Sequence, residues 1–145
     1  VNLSDAILLL AALLAATVGV GVVVRWRQSR PRHVDPGEVV DPQRFGADTL
    51  GERATLLQFS TEMCGRCPGV HRTLGSIARE REGVLHLDVD LTHRPDIAKH
   101  FHVLQTPTTL ILDRNGVVQT RFGGTPSRTA LELELSRVTA EDARV

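Results

Sequence analysis

Between residues 6 and 24 the chain carries no charge, and apart from Thr17 it consists of Leu, Ala, Val, Ile and Gly. A helix of about 19 such residues, rising ~1.5 Å per residue, reaches close to the roughly 30 Å of a hydrocarbon core. Of the conformations open to one isolated segment, a helix satisfies its backbone groups internally, as lipid requires. The run therefore reads as one transmembrane helix. A signal peptide is the rival reading, but it calls for a basic leading region, whereas Asp5 precedes this run and no Lys or Arg does. Arg25, Arg27, Arg30 and Arg32 crowd the other flank, with Trp26 placed among them as an interfacial aromatic would be. Positive flanks stay in the cytoplasm. The expectation is a single-pass protein of the cell membrane, N-terminus outside and the remaining domain cytoplasmic.

Three segments are expected: the membrane helix in 1–24, a basic tether in 25–50 and a domain in 51–145. The tether is polar and rich in breakers, with Pro31, Pro36, Gly37 and Pro42. Within it a short strand near 38–40 and a helical turn near 41–45 are expected. Lys+Arg 17 against Asp+Glu 17 in 145 residues leaves no basic surface excess, so a nucleic-acid partner is not expected.

From residue 54 strand-like and helix-like patterns alternate. The pattern predicts a strand over 54–60, a helix from 66 or 68 to 82, a strand over 84–89 and a short helix over 95–101. A strand over 108–112 follows, then a turn at Asp113-Arg114-Asn115-Gly116 and a returning strand over 117–122. After Gly123-Gly124, Thr125 is the expected N-cap and Pro126 the first residue of a final helix reaching about residue 138. Two crossover units followed by a hairpin and a helix make an α/β domain with a mixed sheet flanked by helices.

Cys64-Gly65-Arg66-Cys67 contains both cysteines of the chain and lies between the first of these strands and an amphipathic helix. Two cysteines cannot form a disulfide scaffold, and a loop this small constrains little of a domain. Thiol-disulfide exchange, by contrast, needs a sulfur at a helix N-terminus, where dipole and free N–H groups favour a thiolate, and a second sulfur behind it to resolve the mixed disulfide.

With the residues 56–67, Val89-Asp90, Thr106-Pro107-Thr108 and Phe122-Gly123-Gly124 all in compatible order, the chain resembles the thioredoxin family over about 50–138. By overall layout it is most similar to the membrane-tethered, single-pass members of actinobacteria. The resemblance implies that Cys64 is the nucleophile and Cys67 the resolving thiol. Helical phase agrees, since Cys67, Val70, Leu74 and Ala78 share one face, which turns Cys67 toward the core. It also implies a cis Pro107 opposite the disulfide, a Thr106 backbone that pairs with a bound peptide, and a substrate groove edged by Met63, Phe122 and Gly123. No cofactor beyond the redox-active disulfide is implied. The implied partners are disulfide-containing protein substrates and an electron donor, either a thioredoxin reductase or a membrane protein.

Several positions depart from the family pattern. Met63 replaces the usual tryptophan, Gln58 the buried carboxylate, His86 the lysine beside it, and Arg66 the proline of the motif. An amide cannot accept the proton of the resolving thiol, so the options are slower resolution, or a water, Asp88 or Asp90 substituting as base. Arg66 is expected to favour the Cys64 thiolate, while Pro68 disfavours helical geometry at Cys67 and argues for a later helix start. Three rival readings remain open. One is a zinc site of Cys64, Cys67 and His71 with a ligand from His86, His93, His100 or His102, although no metal is the expectation. Another is a redox-inert binding module on the same fold. The third places the oxidoreductase outside the cytoplasm, acting on apocytochromes or secreted proteins. The favoured expectation is a membrane-anchored disulfide reductase.

Overall fold

A computed structural model describes residues 2–28, 30–33 and 37–144; Pro36 of the expected tether lies outside the described residues. The helices are α1 (Leu3–Gln28), α2 (Cys67–Glu80), α3 (Pro95–His100) and α4 (Arg128–Asp142). The strands are β1 (Arg32–His33), β2 (Ala54–Ser60), β3 (Val84–Asp90), β4 (Thr108–Asp113) and β5 (Val118–Gly123). α1 is long and apolar enough to cross a membrane, a property that anchors and signal sequences share. Its large side chains, Leu8, Leu13 and Val20 among them, are exposed.

The five strands form one mixed sheet in the order β1-β5-β4-β2-β3. β2 runs parallel to β3 and antiparallel to β4, and β5 antiparallel to β4 and β1. Central position buries β2 on both faces, and its period of two divides its side chains between two cores. Leu57 and Phe59 join Leu110, Leu112, Ile97 and Phe101 on the α3 face. Ala54 and Leu56 join Val70, Leu74 and Ile77 of α2 with Leu131 and Leu135 of α4. The helical phase read from sequence is close: Ile77, rather than Ala78, completes the buried stripe of α2.

Part of the segment 25–50 is built into this sheet. Arg32 and His33 pair with Arg121 and Thr120, Val39 bridges to Val117, and Val40 is buried in the α3-side core. His33 Nε2 lies 3.3 Å from Glu134 Oε2, which fastens β1 to α4. The expected turn appears as a 3-10 helix over Pro42–Phe45, capped by Asp41, whose carboxylate accepts from Gln43 N–H. Gly116 closes the β4–β5 turn with φ +79°, a conformation that side chains with a Cβ rarely adopt.

The boundaries of two expected helices are corrected. α4 starts at Arg128 and its cap is Ser127, whose side chain accepts from Ala130 N–H; Thr125 and Pro126 belong to the preceding loop. Gly124 at φ +81° redirects the chain before it, so the helix begins later and extends to Asp142 instead of 138. α2 starts at Cys67 despite Pro68. The first N–H groups of a helix have no intrahelical partner, so a proline there removes no bond.

Leu74 is fully buried where α2 meets the sheet. Leu74→Ala is expected to destabilise the domain by about 2–5 kcal/mol, read as a lower midpoint in urea with an unchanged slope.

Candidate active site

β2 ends at Ser60 in the interior of the sheet, and a tight turn carries the chain into α2. Cys64 N–H donates to Thr61 O at 3.1 Å, and Cys67 N–H to Cys64 O at 3.3 Å. The two sulfurs form a disulfide with an S–S distance of 2.11 Å and Cα atoms 5.5 Å apart. Their exposures differ. Cys67, first residue of α2, is 5% exposed, whereas Cys64, ahead of the helix, is half-buried beside a cleft that it lines with Thr61, His71 and Asp88. A thiolate at Cys64 would lie at the positive end of α2. Arg66 is exposed and occupies the N-cap position without a side-chain capping bond.

Beneath the disulfide, the two-residue period of β2 aims Gln58 toward α2 and buries it completely. Gln58 Nε2 donates to Cys67 O at 3.1 Å, which leaves Oε1 to accept from His86 Nε2–H at 3.2 Å. Parallel pairing sets His86 opposite Leu56 and Asp88 opposite Gln58, so both β3 residues share the α2 face. His86 is held down to about 4, first by burial and then by repulsion from His71, with Asp88 opposing. It is a neutral imidazole whose N–H stays available to Gln58. His71 Nδ1 lies 3.0 Å from Asp88 Oδ2, and Ser60 Oγ donates to Asp88 Oδ1 at 2.6 Å.

The loop opposite carries the cis Thr106–Pro107 peptide. Thr61 and Thr106 hydroxyls meet at 3.2 Å and tie this loop to the one before Cys64, while Gly124 N–H donates to Pro107 O. Met63 is 94% exposed and Leu104 96% exposed, one on each of the tied loops. Gly123 ends β5 close to Gln105, whose amide nitrogen would lie 2.6 Å from an added Cβ. Phe122 is not at a groove edge as expected. It is fully buried in the α2–α4 core, because β5 alternation turns it inward while Arg121 and Gly123 face out.

Of the remaining candidates read from the sequence, Asp88 and His86 gather around His71. Asp90 is engaged by Thr92. Among the described residues no group of three or more His, Cys, Asp or Glu side chains is placed to hold a metal ion; His100 approaches Glu38 and Arg44. Leu104, Ser60 and the pairing of His71 with Asp88 went unread in the sequence. A large apolar residue two positions before Thr106-Pro107 was the available signal for Leu104; the His71–Asp88 pairing depends on strand register.

The family model described as Thioredoxin matches residues 38–137. A thioredoxin of Mycolicibacterium smegmatis is 35% identical over 67% of this chain and 89% of its own length. A bifunctional thioredoxin reductase/thioredoxin of Mycobacterium leprae is 34% identical over 70% of this chain and 22% of its own. Among solved structures, Fasciola hepatica thioredoxin superimposes with a TM-score of 0.52 at 24% identity, over 60% of this chain and 82% of that one. At that identity the match speaks for the fold.

The depressed His86 makes stability pH-dependent. Above about pH 6.5 the imidazole is neutral in both states and its contribution is complete. Between about 6.5 and 4 only the unfolded chain takes up the proton, so stability falls with pH. His86→Gln is expected to remove ~1–2 kcal/mol of that fall, discounted for partial solvent access, as measured by urea unfolding at neutral and acid pH.

Proposed function

The chain belongs to the thioredoxin family, whose members are disulfide oxidoreductases, and from that premise we propose that it is a membrane-anchored protein-disulfide reductase working on the cytoplasmic side. The observation that carries the chemistry is the unequal exposure of two sulfurs at one helix N-terminus. The half-buried Cys64 attacks a substrate disulfide as a thiolate, forming a mixed disulfide and expelling one substrate thiol. The buried Cys67 then attacks Cys64, releasing the second substrate thiol and leaving the Cys64–Cys67 disulfide. Two electrons pass to the substrate, and a donor must return them.

The substrate is a disulfide-containing protein segment lying between the Met63 loop and the Thr106–Pro107 loop. Met63 and Leu104 supply apolar contact, the Thr106 backbone supplies strand-like pairing, and Gly123 keeps the floor low. Arg66 adds positive charge near Cys64, and Gln58 with His86 holds the Cys67 turn in place. A thioredoxin reductase is the favoured donor, a reading supported by the fused reductase of the Mycobacterium leprae relative. Cytoplasmic placement is supported by Arg25, Arg27, Arg30 and Arg32 after α1; Arg30 stacks over the Trp26 ring at 3.6 Å. In that compartment the dithiol form is maintained and reduction is the favoured direction.

Cys67→Ser is expected to accumulate mixed disulfides through Cys64, visible as reductant-sensitive adducts on non-reducing gels, whereas Cys64→Ser does not. Equal trapping by both variants would sink the assignment of roles. For topology, a reporter fused after residue 145 is expected to be active only if it is a cytoplasmic reporter; periplasmic activity would favour the signal-sequence or extracytoplasmic reading.

A further inference from the structure

The resolving step has to take a proton from Cys67, and the groups directly beneath it are unsuited to receive one. Gln58 is an amide with both polar ends engaged, by Cys67 O and by His86. His86 already donates its Nε2–H to Gln58 and is held down to about 4. The buried pair is a scaffold that positions the Cys67 turn and exchanges no proton in the neutral range.

One turn along α2 the chemistry differs. His71 and Asp88 line the same cleft as Cys64 and Cys67. The Asp88 carboxylate accepts from Ser60 Oγ through Oδ1 and faces His71 Nδ1 at 3.0 Å through Oδ2. A carboxylate is acceptor-only, so Nδ1 carries the hydrogen and Nε2 is left with a lone pair. His86 packs edge-on against the His71 ring, with centroids 4.7 Å apart, and restricts its rotation. Asp88 and His86 of β3 contact His71, and Glu62 of the β2–α2 loop and Arg72 of α2 itself line the same cleft. A carboxylate, ordinarily near 4, is a poor base toward a thiol near 8.5; an imidazole is matched far better.

We propose that His71, oriented by Asp88 and Ser60, is the proton acceptor for the Cys67 thiol in the resolving step. This rests on the oxidoreductase reading. The Cys67 proton passes through solvent in the cleft to His71 Nε2 as the Cys67–Cys64 bond forms and the Cys64–substrate bond breaks. The imidazolium then returns the proton to the departing substrate thiolate, so His71 ends the cycle neutral. Asp88 and Ser60 are positioning residues, and proton exchange takes place in a solvent-accessible cleft.

The test separates the two half-steps. The full reduced chain in detergent micelles is mixed with one equivalent of dithio-bis-nitrobenzoate, and nitrothiobenzoate release is followed by stopped flow. Attack by Cys64 releases the first equivalent, and attack by Cys67 releases the second. In wild type the second phase is expected to stay fast at lower pH than thiol ionisation alone would allow, because a base in the cleft takes the proton. His71→Gln is expected to keep the first phase, slow the second about 100-fold at neutral pH and leave it rising with pH in step with ionisation of the Cys67 thiol alone. Asp88→Asn, which retains the imidazole without its anchor, is expected to fall between the two in rate and profile. A His71→Gln second phase with wild-type rate and pH profile overturns the proposal. Failure of the oxidoreductase reading has a different signature: wild type itself would stop after the first equivalent or release none.

Discussion

Strand β2 is hydrogen-bonded along both edges and buried on both faces, and the disposition of the site depends on it. Its alternation sends Leu57 and Phe59 to one core and Ala54, Leu56 and Gln58 to the other. A one-residue slip would exchange the two sets. Gln58 would then leave α2, the amide bond to Cys67 O would be lost, and His86 would have no partner beneath the helix. The same register, carried across the parallel pairing to β3, brings Asp88 level with Gln58 and within reach of His71.

Burial has opposite consequences for the two sulfurs. Cys67 is enclosed by the first turn of α2, where Val70 and Leu74 follow it into the core. Cys64 stays ahead of the helix, where unpaired N–H groups favour a thiolate. A polar amide replaces charge in the interior below them. Burying an ionised group there would carry a desolvation cost, whereas Gln58 satisfies both its polar ends with one backbone carbonyl and one neutral imidazole. Charge is kept at the edge strand β3, where Asp88 reaches both the cleft and solvent.

The link between α1 and the domain is shorter than its composition suggests. Two residues of β1 extend the sheet at its β5 edge, and His33 meets Glu134, which is nearly buried and also accepts from Thr120 and Arg137. Polar composition around Pro31 and Gly37 reads as a free tether because strand pairing uses backbone groups, which leave no mark in residue type. Val40, Phe45 and Leu50, the apolar residues that enter the α3-side packing, are too few for a periodic signal.

The chain by itself determined the apolar α1, the order of strands and helices from residue 54 onward, the single cysteine pair at a helix N-terminus and the family resemblance. These follow from local composition and period, which need no knowledge of what packs where. Tertiary structure alone decided that Phe122 is core and not groove, that Ser127 and not Thr125 caps α4, and that Leu104 stands exposed on the loop before Thr106–Pro107. It alone brought His71, 17 positions from Asp88, into contact with it. Such pairings depend on strand register and on how α2 lies across the sheet, and both are settled by packing between segments distant in sequence.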